Sequence, residues 1–124
     1  MTTTQNLTAI PTEITTLAED LTGFTPALDR AVAALVDLAS ADLTTERSGA
    51  VVAALGGLVD GSLATLLGLT LRHIANPDTN PALAGLPTDR QQTLRRVGAE
   101  YAAGIADSGL EQLAAEASAV IDNA

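Results

Sequence analysis

The chain has 124 residues and a formal net charge of −9, with 15 Asp plus Glu against six basic residues that are all Arg. A surface of that sign repels phosphate backbones and so disfavours nucleic-acid binding. The absence of Cys excludes disulfides, thiolate metal sites and cysteine nucleophiles. The length fits a single core, and we predict a flexible leader over 1–9 followed by one helical domain over 10–124.

Two amphipathic helices are predicted in the first third of the chain. Apolar residues at alternating steps of three and four indicate a helix over 11–22, with Pro11 in its first turn and Gly23 at its end. Thr25 and Pro26 then suit the cap and first turn of a helix over 26–41. The apolar faces assigned to the two helices are Ile10, Ile14, Leu17, Leu21 and Phe24, and Leu28, Val32, Leu35, Val36, Ala39 and Leu43.

The most apolar stretch is 44–75, in which Asp60 is the only ionisable residue between Val51 and Leu71. A helix is predicted from Thr44 or Thr45 to Leu58 or Val59. A corner at Asp60-Gly61-Ser62 follows, because Gly ends helices and Ser caps them. The next helix is predicted over 63–75, and its inward face is assigned to Leu63, Leu66, Leu67, Leu71 and Ile74.

Residues 51–71 also have the length of a membrane span, so two interpretations compete. Ten Leu and Val contribute about −3 to −6 kcal/mol to insertion, whereas a central Asp costs about +2.5 to +3.5 kcal/mol. The stretch lacks an aromatic belt, and Arg47 and Arg72 flank it without asymmetry. We therefore predict a helical hairpin buried by protein, with Asp60 in its turn. The alternative for Asp60 is a buried acid that marks a site.

The loop 76–87 contains three Pro and one Gly. Asp78 and Asn80 have the spacing of calcium ligands, but Leu83 stands where the sharp-turn Gly of such a loop belongs, so we predict a turn. Thr88 with Gln91, and Ser108 with Glu111, have the spacing of capping boxes. They predict helices over 88–107 and 109–122. The inward residues assigned to the second are Leu110, Leu113, Ala117, Val120 and Ile121.

These elements predict an all-α fold, a compact bundle of five to six amphipathic helices with a central apolar hairpin at about 45–75. Gly57 and Gly61 are predicted to allow close contact between helices. His73 is the only His, which excludes a multi-histidine metal site within one chain. No nucleophile elbow or phosphate-binding loop is present. We expect no enzyme activity, no cofactor and no metal.

The only basic cluster consists of Arg90, Arg95 and Arg96. Because Arg96 and Glu100 are four residues apart on a predicted helix, a solvated, salt-bridged face is the favoured interpretation. The alternative is a docking patch for an acidic partner, such as another copy of this chain.

A positive mean hydropathy of +0.26 beside an isoelectric point near 4.2 indicates more apolar surface than one small core hides. We predict a protein-interaction or assembly subunit that binds copies of itself, in the cytoplasm or within a particle, shell or phage structure. Two alternatives remain: an acidic inhibitor or immunity-type protein that binds a basic partner, and a binder of a small apolar ligand in a cavity among the helices at 45–59, 63–75 and 88–107.

Overall fold

The computed structural model describes residues 10–57, 62–107 and 109–123. Their regular structure is entirely helical, which confirms the predicted fold class. Contacts divide the chain into two compact units, Met1–Leu43 and Thr44–Ala124, called unit 1 and unit 2 below. The predicted leader lies outside the described residues, and the single domain over 10–124 stays a prediction.

Unit 1 contains helices α1 (Thr12–Asp20) and α2 (Pro26–Ala39). The N-terminal end of α2 is as predicted, because the Thr25 hydroxyl accepts a hydrogen bond from the Leu28 N–H at 3.1 Å and Pro26 takes the first helical position. Gly23, in the link between the helices, has a φ of +95°. A residue with a side chain is strained at that φ, so glycine suits the position.

The two helices of unit 1 face each other across an apolar groove of about 330 Å³. Val32 is buried in it. Of the exposed residues on the two predicted apolar faces, Leu17, Leu21 and Leu35 line the groove, whereas Phe24 and Leu28 do not. The described residues that line the groove are Glu13, Ile14, Leu17, Ala18, Leu21, Val32, Leu35 and Val36.

The described part of unit 2 contains four α-helices and two shorter helical segments. The N-caps of the first two α-helices are Thr44 and Ser62, of which Ser62 was predicted as a cap; their hydroxyls accept hydrogen bonds from backbone N–H groups three residues ahead, at 3.2 Å and 3.1 Å. The elements are α3 (Thr45–Val52), a π-helical segment (Ala53–Gly57), α4 (Leu63–Ala75), a 3₁₀ turn (Pro81–Leu83), α5 (Thr88–Asp107) and α6 (Leu110–Asp122).

The apolar stretch 51–71 is not one continuous helix. The α-helix changes to the π-helical segment after Val52, and Ser62 has extended backbone angles of φ −88° and ψ 155° before α4 begins. Within the described residues, no helix combines the length and the apolar character that crossing a membrane requires.

The apolar stretch has two helical arms: the first is α3 with the π-helical segment, and the second is α4. Each arm packs chiefly on one of the last two helices. The largest helix contact in unit 2 joins α4 to α5, and α3 with the π-helical segment packs on α6. The contact between the two arms is made by α4 and the π-helical segment. The described parts of the two arms therefore make most of their contacts with α5 and α6.

Small residues form the contact between α4 and α5. A Cβ atom on Gly68 would lie 3.3 Å from Ala102 Cα, and one on Gly98 would lie 3.4 Å from Arg72 Cα. Such distances to backbone atoms leave little room for a side chain. The two helices approach closely because these positions are glycines.

The contact between α3 and α6 also depends on small residues. A Cβ on Gly49 would overlap the Asp122 carboxylate, and the buried Ser118 hydroxyl donates a hydrogen bond of 2.8 Å to the Gly49 carbonyl. A Cβ on Gly56 in the π-helical segment would lie 3.5 Å from Ala114 Cβ. The Ser118 bond connects positions that are 69 residues apart.

We expect Ser118→Ala to lower the free energy of unfolding by about 0.5–1 kcal/mol. The buried hydrogen bond contributes about 1 kcal/mol, and the higher helix propensity of Ala offsets part of the loss. The Gly49 carbonyl keeps its bond from the Ala53 N–H, which limits the cost. Urea denaturation followed by circular dichroism measures the difference, and an unchanged or more stable variant would contradict it.

The loop after α4 caps that helix with its own side chains. The Thr79 hydroxyl donates to the His73 carbonyl at 2.7 Å, and Asn80 Nδ2 donates to the Ile74 carbonyl at 2.8 Å. These bonds satisfy carbonyls that a helix end leaves without a partner.

The start of α5 differs from the prediction. Gln91 Nε2 donates to the carbonyls of Ala84 and Leu86, so the capping box predicted for Thr88 and Gln91 is wrong.

Candidate functional site

Helix α4 carries an exposed apolar face, opposite to what the sequence predicts. The face consists of Leu63, Leu66, Leu67 and Ile74, which are between 40% and 58% exposed. Their spacing places them on one side of the helix. Of the five residues assigned to the inward face, only Leu71 is half-buried. The other less exposed positions of α4 include the small residues Ala64, Gly68 and Ala75. The inward assignment of the other four is wrong, because small residues occupy the contact with α5.

Helix α6 also exposes apolar residues that the sequence assigns to its buried side. Leu110, Leu113 and Val120 are between 62% and 66% exposed, although the sequence assigns them inward. Ser118 is buried and Ile121 is half-buried on the side of α3. This exposed side is a second apolar face in unit 2.

Charge distinguishes the two apolar faces. The sequence of α4 contains no Asp or Glu, and its ionisable residues are Arg72 and His73 in the last turn. In contrast, α6 carries Glu111, Glu116 and Asp122. Because the chain carries a net charge of −9, repulsion between two copies is weakest where carboxylates are absent. The α4 face is therefore the less acidic of the two apolar faces.

Two of the three clustered arginines pair with carboxylates of unit 2. Arg95 binds both oxygens of Asp78, at 3.0 Å from Nε and 2.8 Å from Nη2. Arg96 Nη1 lies 3.2 Å from each oxygen of Glu100, which confirms that predicted pair. These contacts support a solvated, salt-bridged face.

Arg90 is exposed at a depression of about 310 Å³ whose described lining includes Leu86, Thr93 and Leu94. Within the described residues it forms no ion pair. The use of Arg90, Arg95 and Arg96 as a docking patch stays a prediction.

The Asp78–Arg95 pair predicts a pH dependence of stability. The hydrogen bonds from Arg95 hold the pKa of the Asp78 carboxyl below its ordinary value of 3.8. Since the unfolded chain takes up this proton first, the stabilisation is complete above about pH 3.8 and is lost as pH falls through the lower folded pKa. We expect Asp78→Asn to lower the melting temperature slightly at neutral pH and to match the unmodified chain in strong acid. A difference that persists unchanged in acid would contradict this assignment.

The other residues that the sequence singles out are Gly57, Asp60, Gly61 and His73. Asp60 and Gly61 lie outside the described residues, and Gly57 ends the π-helical segment, so the predicted Gly57–Gly61 contact stays a prediction. His73 is exposed. In the part of the chain that the structure describes, no three His, Cys, Asp or Glu side chains form a group able to hold a metal ion.

No protein-family model, curated protein or solved structure matches the chain. The fold and the surface together define an all-α protein whose helices contact one another through small residues and expose large apolar ones. The exposed apolar residues are therefore the feature of the molecule that bears most directly on its function.

Proposed function

We propose that this chain is a non-enzymatic assembly subunit that binds copies of itself through the α4 face, Leu63, Leu66, Leu67 and Ile74. The observation that carries the proposal is their exposure, between 40% and 58%, on a helix without Asp or Glu. Exposed apolar side chains scattered singly need no partner, whereas several on one helix face are typical of an interaction surface.

The free energy available from burying the exposed apolar side chains supports contact between copies. Complete burial of a Leu or Ile side chain contributes about 1.5–3 kcal/mol, so burying the exposed half of these four residues contributes a few kcal/mol. Two copies that meet through their α4 faces gain about twice that amount, against a cost of about 4–15 kcal/mol in lost freedom. The α6 face adds a second contact, and two faces allow one copy to bind more than one neighbour. We propose that such assembly takes place in the cytoplasm or within a particle.

The experiment is light-scattering mass measured across protein concentration and salt concentration. We expect masses above the 12.5 kDa of one chain, increasing with protein concentration. Added salt is expected to strengthen the association, because it screens repulsion between like-charged copies without weakening apolar contacts. A constant mass of one chain up to high micromolar concentration would overturn the proposal.

Salt also separates this function from that of an acidic inhibitor. A complex between this chain and a basic protein would weaken as salt increases, because opposite charges would then be screened. Monomeric protein that captures a basic partner at low salt and releases it at high salt would favour the inhibitor.

A further inference from the structure

A cavity of about 550 Å³ lies in unit 2. Its described lining includes residues at the start of α4 but none of the four residues of the α4 face. Its described lining comes from the π-helical segment and from α4, α5 and α6, and it includes the small residues Gly56, Ala64, Gly104 and Ala114. Binding sites for small molecules are usually concave, mostly apolar and about 300–1,000 Å³ in volume. The cavity has that size and character.

Few polar groups face this cavity, and two of them are already paired. The Ser62 and Thr65 hydroxyls lie 3.0 Å apart, and Ser62 also accepts the Thr65 N–H. Glu111 is half-buried in the first turn of α6 and carries the only formal charge among the described lining residues. Neither the Glu111 carboxylate nor the Tyr101 hydroxyl has a protein partner among the described residues.

We propose that this cavity binds a small apolar molecule that carries one amine group. Glu111 brings the only formal charge among the described lining residues, and a purely apolar molecule leaves that charge without a counterpart. An anion would be repelled, whereas an ammonium group supplies both donors and the opposite charge.

The chain contains one Tyr and no Trp, so tyrosine fluorescence reports directly on the wall of this cavity. Octylamine, octanol and octanoate serve as probes of equal chain length, each titrated below its micelle concentration. We expect octylamine to change Tyr101 emission saturably, with an apparent affinity about tenfold or more above those of octanol and octanoate. Equal affinities for octylamine and octanol would overturn the amine assignment.

Three variants make the test specific. Glu111→Gln should weaken octylamine binding about tenfold or more. Glu116→Gln, which removes the same charge from an exposed position on α6, should leave binding unchanged. Gly104→Leu should abolish the saturable response, because a Cβ at Gly104 meets nothing within 4 Å and a larger side chain can occupy the cavity.

Circular dichroism verifies that each variant keeps its helical content. Equal losses in the Glu111 and Glu116 variants would indicate general attraction of a cation to an acidic surface and overturn the site. Undiminished binding by Gly104→Leu, or no saturable response to octylamine in the unmodified chain, would also overturn it.

Discussion

Gly68→Leu is expected to lower the free energy of unfolding of unit 2 by at least about 2 kcal/mol. A Cβ at Gly68 would lie 3.1 Å from Ile105 Cδ1 and 3.3 Å from Ala102 Cα. The terminal methyl of Ile105 can move aside, but Ala102 Cα is backbone, so a longer side chain forces α4 away from α5. Leu favours helix over Gly by about 0.8 kcal/mol, which offsets only part of the overpacking cost.

Urea denaturation followed by Tyr101 fluorescence measures this loss in unit 2, because the only Tyr of the chain belongs to that unit. The matched control is Gly104→Leu, since a Cβ at Gly104 meets nothing within 4 Å. The control should be at least as stable as the unmodified chain, because Leu favours helix over Gly by about 0.8 kcal/mol and its side chain adds apolar contact at the cavity. Similar stabilities for the two variants would show that close approach at Gly68 does not hold α4 against α5.

The first residues of the helices could be predicted to within one position, because local chemistry determines most of them. Helix α4 spans the predicted residues 63–75, and α6 begins one residue after the predicted 109. The hydroxyls of Thr25, Thr44 and Ser62 each accept an N–H three residues ahead, an interaction that is visible in sequence. The change to a π-helical segment after Val52 has no comparable local signal.

Which side of each helix is buried could not be predicted from side-chain size. Helix α4 carries two stripes, one of large apolar residues and one that contains Ala64 and Gly68. Periodicity within one helix does not choose between them, because the choice depends on the matching small residues of the partner helix. Pairs of small residues four positions apart, such as Gly98 with Ala102 on α5, were the available signal. Their combination across helices became visible only in the structure.

The arginine cluster shows the same limit at the level of single contacts. The Arg96–Glu100 pair could be predicted because residues four apart on a helix are neighbours. The Arg95–Asp78 pair joins α5 to the preceding loop across 17 positions, and its geometry depends on the path of that loop. Sequence therefore predicted the local ion pair and missed the one that connects two elements.

The double substitution Leu66→Gln with Leu67→Gln is expected to weaken self-association by about 2 kcal/mol or more, which corresponds to about 30-fold in affinity. Both side chains are more than half exposed, so the stability of a single chain should change by less than about 1 kcal/mol. The two effects separate because these side chains contribute little to the contact between α4 and α5. Sedimentation equilibrium measures the first effect, and urea denaturation at low protein concentration measures the second.

The matched control is Arg96→Gln with Glu100→Gln, which also replaces two exposed side chains and leaves the net charge unchanged. An exposed ion pair contributes about 1 kcal/mol or less, so this variant should associate and unfold like the unmodified chain. Equal association by the α4 variant and the control would contradict binding through the α4 face. The remaining association would then have to use another surface. The α6 face, Leu110, Leu113 and Val120, would be the next to substitute, since it has the most exposed leucines among the described residues of unit 2.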